Sequence, residues 1–171
     1  MAQGYISIGS NIDKDVHIPA SINGLGQQFG ALTLSGIYQT AAVGFDGDDF
    51  YNLVVGFDSA LPVADIVQRL KQMELDNGRT RNCQKCSPRT LDLDLLLYGD
   101  VRINETDLQI PRPDFECYAY VLQPLAEIAP DLIHPTLQLS YAELWRHYDK
   151  TELKQMRVVP DWLAGLAHIA N

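Results

Sequence analysis

Apolar and polar positions alternate through YISIGS (5–10), and β-branched and aromatic residues crowd LTLSGIYQT (32–40) and YNLVVGF (51–57), which predicts three β-strands. Between the first two the period changes. Ile18, Ile22, Leu25 and Phe29 recur at steps of four and three, which sets them on one stripe of a helix; Pro19 is tolerated because it falls near the start. A second helix is predicted from Pro62, with Val63, Ile66, Val67, Leu70 and Met73 on its apolar stripe and Asn77-Gly78 suited to a left-handed C-terminal cap. A leucine-rich strand, LDLDLLLY (91–98), follows it.

The order βαββαβ predicts an α+β fold: a ferredoxin-like antiparallel sheet with both helices packed on one face. Beyond Gly99-Asp100 the pattern is less regular. A short hairpin around VRINETD (101–107), a Pro-rich IPRP (110–113), a helical YVLQPLAEIAP (120–130) and a terminal PDWLAGLAHIA (160–170), read as one more helix, make a C-terminal extension. No repeat or linker divides the chain, so residues 1–171 are taken as a single domain.

Charge narrows the partners. The net charge of −9 and pI near 4.7 disfavour a nonspecific grip on nucleic acid or on an anionic membrane surface. No stretch approaches the roughly 18 consecutive apolar residues of a membrane helix, and three cysteines, an odd number, argue against a disulfide scaffold. Small-molecule substrates in a cytoplasmic setting are expected.

Within the leucine-rich strand, Asp92 and Asp94 break the apolar run. Alternation puts Leu91, Leu93, Leu95 and Leu97 on one face and Asp92, Asp94, Leu96 and Tyr98 on the other, with the two aspartate α-carbons about 6.5–7 Å apart. Two carboxylates so close repel each other, and among leucines they call for a positive partner. The preceding loop, GRTRNCQKCSPRT (78–90), holds Arg79, Arg81, Lys85 and Arg89 and no carboxylate. Arginine forks bind phosphate oxygens, and magnesium favours carboxylates together with substrate phosphates, so a polyphosphate satisfies both halves of this pattern. Glu74 lies on the apolar stripe of the second helix, where a carboxylate needs a partner in the loop or on a ligand.

SPRTLDLDLLLYG closely resembles the signature of the 6-hydroxymethyl-7,8-dihydropterin pyrophosphokinases, enzymes of folate biosynthesis. YISIGSNI, YQTAAVG, FYNLVV, MELDNGRTR and VLQPLAEIAPDLIHP extend the resemblance from about Gly4 to Pro135. It implies transfer of pyrophosphate from ATP to the hydroxymethyl group of a reduced pterin, with release of AMP. Asp92 and Asp94 would hold two magnesium ions, and Arg81 and Arg89 would contact the phosphates and stabilise charge at the β-phosphorus. Glu74, Arg79 and Arg112 would lie around the nucleotide. Asn52 would read the polar edge of the pterin, with Thr40, Val43, Phe50 and Tyr120 shaping its slot. A diverged relative acting on another hydroxylated heterocycle, and a pterin- or nucleotide-binding protein without turnover, are the rival readings.

The chain departs from that family pattern in several places. Arg112 stands where the family usually has histidine, Tyr118 where arginine is common, Tyr120 where phenylalanine is common, Ala41 where proline is frequent, and Cys86 where some members have tryptophan. Cys83 and Cys86 form a C-x-x-C without the further ligands of a zinc site or the helix start of a thioredoxin-like unit. His17, His134, His147 and His168 show no ligand spacing.

Overall fold

The chain runs β1 (Ala2–Ser10), α1 (Lys14–Phe29), β2 (Thr33–Leu34), β3 (Ile37–Thr40), β4 (Phe50–Ser59), α2 (Val63–Asp76) and β5 (Asp92–Tyr98). After these come β6 (Ile103–Asn104), β7 (Gln109–Ile110), α3 (Ala119–Ile128), α4 (Tyr141–His147) and β8 (Met156–Val158). A computed structural model provides this description for residues 1–42, 44–78, 90–113, 117–167 and 169. Six strands form one antiparallel sheet in the order β5-β1-β4-β3-β8, with β2 alongside β4, and β6 and β7 pair as a separate hairpin.

The sheet is covered on both faces. Ile6, Ile8, Leu53, Val55, Leu93 and Leu95 pack against Ile18, Ile22 and Leu25 of α1 and Ile66, Leu70 and Met73 of α2, so the two predicted helices share one face. On the other face Tyr5, Val54, Leu96 and Leu97 meet Val121, Leu122 and Leu125 of α3, with Tyr141 of α4 closing that core. Each large apolar side chain withdrawn this fully from water contributes about 1.5–3 kcal/mol before conformational entropy is counted.

Three predicted features take a different form. The segment 32–40 is two strands, because the chain bulges at Ser35-Gly36: Leu34 pairs with Val55, while Tyr38 pairs with Asn52. The Ser35 hydroxyl accepts the Val54 N–H at 2.9 Å and replaces the ladder bond lost there. In β5 the expected alternation breaks after Leu95, since Ile6 faces Leu95 and Tyr5 faces Leu97, leaving Leu96 as the extra residue of a bulge. Leu97 therefore joins Leu96 on the α3 face. Tyr98 turns to the opposite core, where its hydroxyl lies 2.9 and 2.8 Å from the carbonyl oxygens of Ser59 and Leu61. Asp92 and Asp94 precede the bulge and keep the alternation predicted for them.

The C-terminal extension is built from smaller pieces than one terminal helix. α4 starts at a Ser140/Glu143 capping box, in which the Glu143 N–H donates to the Ser140 hydroxyl and the Glu143 carboxylate accepts the Ser140 N–H. Those hydrogen bonds hold the Glu143 carboxyl below its ordinary range. β8 then adds to the sheet beyond β3, and a 3-10 turn (Asp161–Gly165) returns to α1, where Trp162 Nε1 donates to Asp15 Oδ1 at 2.8 Å. Among the described residues no helix is long and apolar enough to cross a membrane.

Candidate active site

The register of the sheet brings residues 40 positions apart into one row. Asp92 of β5 lies opposite Gly9 of β1, Gly9 opposite Asn52 of β4, and Asn52 opposite Tyr38 of β3. Directly opposed residues of antiparallel strands project to the same face, here the face that carries α3. Asp92 and Asn52 are thus separated by two strand spacings, about 10 Å. Gly9 leaves the intervening position without a side chain; a Cβ there would sit 3.1 Å from Asn52 Oδ1. Asp94, opposite Ser7, stands on the same face one step further along β5.

Asn52 is held at one end of this row. Only 6% of it is exposed, and its Nδ2 donates to Thr40 Oγ1 at 2.9 Å, so Oδ1 is the end turned toward Gly9. Thr40 is paired with Phe50, whose ring meets Phe45 edge-on at 6.2 Å. The loop between β3 and β4 is fastened from the start of α1: Asn11 Nδ2 donates to Asp48 O and Lys14 Nζ to Asp49 O, each at 3.0 Å. Tyr120 sits in the first turn of α3 and stacks on Tyr118 at 5.2 Å. A buried amide beside a position without a side chain, with aromatic rings nearby on the same strand and at the start of α3, is the kind of group set that suits a flat polar heterocycle.

At the other end, Asp92, Leu93, Asp94 and Leu95 line a pocket of about 180 Å³ together with Val67, Lys71, Glu74, Asp107 and Arg112. β5 is the outermost strand of the sheet, and two groups cover its free edge. The Arg112 N–H donates to Leu96 O at 3.0 Å, and the Leu93 N–H donates to Glu74 Oε1 at 2.8 Å. Glu74, 8% exposed, thus spends one oxygen on the backbone between the two aspartates. Arg112 Nη1 lies 3.6 Å from Asp94 Oδ1. The sequence marks Glu74 and Arg112 as neighbours of a nucleotide and shows that Glu74 needs a partner, but identifies neither contact, because both partners are distant in the chain.

The Glu74 bond carries a separable prediction. Glu74→Gln keeps an oxygen acceptor for Leu93 and should leave thermal stability within about 1 kcal/mol, whereas Glu74→Ala orphans a buried N–H and should cost about 1–3 kcal/mol. Denaturant unfolding of both variants measures this. Equal losses in the two would mean that the bond to Leu93 contributes nothing.

Hard carboxylate oxygens on one strand face fit magnesium, which is commonly held by one or two protein carboxylates and completed by water and phosphate. No group of three or more His, Cys, Asp or Glu side chains suited to a metal occurs among the described residues. A two-carboxylate site completed by water and phosphate is the arrangement the aspartates could form. Val43, Arg79, Arg81 and Arg89, with Lys85, Cys83, Cys86 and His168, lie outside the described residues. Gly9, absent from the residues singled out in the sequence, is the addition the structure makes. Its signal was the small residue in YISIGSN at a position where alternation turns a side chain toward the aspartate face.

Residues 5–130 match the family model described as 7,8-dihydro-6-hydroxymethylpterin-pyrophosphokinase. The chain is 34% identical over 143 residues to a 2-amino-4-hydroxy-6-hydroxymethyldihydropteridine pyrophosphokinase of Haemophilus influenzae, covering 81% of this chain and 89% of that protein. It is 33% identical over 137 residues to the protein of the same name from Aquifex aeolicus, with 79% and 85% covered. A folic acid synthesis protein of Dictyostelium discoideum is 34% identical over 138 residues, but the match spans only 21% of its length. Among solved structures, a Plasmodium falciparum HPPK-DHPS triple mutant with pteroate superimposes with a TM-score of 0.73 at 12% identity, covering 91% of this chain and 46% of that one. At that identity the likeness speaks for the fold alone.

Proposed function

We infer that this chain, which belongs to the 7,8-dihydro-6-hydroxymethylpterin-pyrophosphokinase family, transfers pyrophosphate from ATP to the hydroxymethyl oxygen of 6-hydroxymethyl-7,8-dihydropterin and releases AMP. The observation that carries the reading is the row Asp92–Gly9–Asn52 on one sheet face. It supports a heterocycle read at Asn52 with its hydroxymethyl group directed along the glycine floor toward the aspartates. We read β5-β1-β4-β3 with α1 and α2 as the ferredoxin-like core, and the 171 residues as one unit.

In the reaction a bond forms between the hydroxymethyl oxygen and the β-phosphorus, and the bond from that phosphorus to the oxygen bridging to the α-phosphorus breaks. The hydroxyl proton is lost and AMP leaves. Such a transfer needs little covalent chemistry from the protein; alignment and charge stabilisation do most of it. Asn52, held by Thr40, orients the ring, and Phe50 and Tyr120 flank it. Glu74 holds β5 at Leu93, between the aspartates. Asp92 and Asp94 would hold magnesium, which when bound supplies charge neutralisation for the phosphates. Arg79, Arg81, Arg89 and Arg112 are the cations we assign to phosphate oxygens, and Val43 completes the slot.

Incubation of the full chain with magnesium, ATP and hydroxymethyldihydropterin tests this. AMP and the pterin pyrophosphate are expected in equal amounts, and only when all three are present. AMP formed only with another hydroxylated acceptor, or tight binding of both ligands with no AMP, would overturn the assignment.

A further inference from the structure

Arg112 reaches Asp94 from a fastened position. Its backbone N–H is bonded to Leu96 O, two residues along β5 from the aspartate, so the arginine's main chain is anchored to the strand that carries both acids. From there Nη1 approaches Asp94 Oδ1 at 3.6 Å, with 36% of the arginine side chain and 40% of the aspartate side chain exposed. The pair lies in the pocket that also includes Asp92, Glu74 and Asp107. A half-exposed ion pair at this distance opens easily. While it is closed, it holds a unit positive charge where a divalent cation on Asp94 would bring two more.

We propose that Arg112 is a resident counter-ion of Asp94 that is exchanged for a divalent cation arriving with its polyphosphate. The inference rests on the magnesium- and ATP-dependent reading above. A free cation binding the aspartates must approach, or displace, the guanidinium and brings it no partner in exchange. A cation carrying a polyphosphate supplies that partner, because the released fork can bond phosphate oxygens bidentately. Arg112 therefore weakens binding of the bare metal and strengthens binding of the metal–nucleotide complex. The sign of its contribution reverses with the nucleotide, which neither a purely structural arginine nor a simple phosphate ligand would do.

The probe is Mn2+, followed by electron paramagnetic resonance on the full chain with and without a nonhydrolysable ATP analogue. Arg112→Gln should tighten Mn2+ alone on the order of tenfold and weaken Mn2+ with the analogue on the order of tenfold. Arg112→Lys keeps the charge without the fork, so Mn2+ alone should stay weak while the complex loses affinity. The proposal is overturned if Arg112→Gln leaves Mn2+ alone unchanged, or if it shifts both affinities in the same direction. Should either happen in a chain that still makes AMP with the pterin, the exchange fails and the pyrophosphokinase reading stands. A wild-type chain that neither binds Mn2+ with the analogue nor makes AMP overturns both.

Discussion

Asp92→Ala and Asp94→Ala are each expected to lower kcat by at least about a thousandfold while the fold persists. Removing one charge-stabilising group at a phosphoryl-transfer centre costs on the order of several kcal/mol in the barrier. The folded state has little to lose. Both side chains are half-exposed, they repel each other across one strand repeat, and the ion pair from Asp94 to Arg112 lies in partial solvent. Thermal unfolding should therefore shift by no more than about 1 kcal/mol in either direction. Turnover within tenfold of the wild type in either variant would remove the aspartates from the chemistry. A collapse of stability alongside activity would make them structural.

The second large effect is expected at Asn52. Asn52→Leu keeps the approximate volume but removes both the donor to Thr40 Oγ1 and the oxygen that faces Gly9. A site built to hydrogen-bond a polar ring discriminates strongly when the bonds are lost, so KM for the pterin should rise by about a hundredfold or more. Affinity for ATP should hardly change. Gly9→Ala probes the same row more gently, since its methyl would meet Asn52 Oδ1 at 3.1 Å and push the amide by a few tenths of an ångström. Its effect should be confined to the pterin KM. An Asn52→Leu enzyme with a pterin KM within threefold of the wild type would move the heterocycle elsewhere.

Both predictions depend on residues whose value could be read from the chain only in part. Asp92 and Asp94 were legible because a period-two pattern with carboxylates in a leucine run is anomalous on its own terms. Asn52 carries no local anomaly; it was named through resemblance, and its hydrogen bond to Thr40 belongs to a strand pairing that no short window contains. Glu74 lay between the two cases. Its place on an apolar stripe signalled a partner, but the partner is a backbone N–H on an edge strand 19 residues away. The split of 32–40 into β2 and β3 and the bulge at Leu96 were hidden for a related reason. A bulge is a mismatch between two strands, and neither strand records it alone.

By itself the sequence determined the periodicities of α1, α2 and the principal strands, and the acid pair and its basic neighbour loop. These are properties of consecutive residues, set by backbone geometry within a few turns or strand repeats. The tertiary structure alone decided the row through Asp92, Gly9 and Asn52, the seat of Arg112 beside Asp94, and the sixth strand that β8 adds to the sheet. Their physical origin is register. Hydrogen-bonded pairing of strands far apart in sequence selects which side chains share a face, and that selection is made by the packing of the whole sheet between two sets of helices.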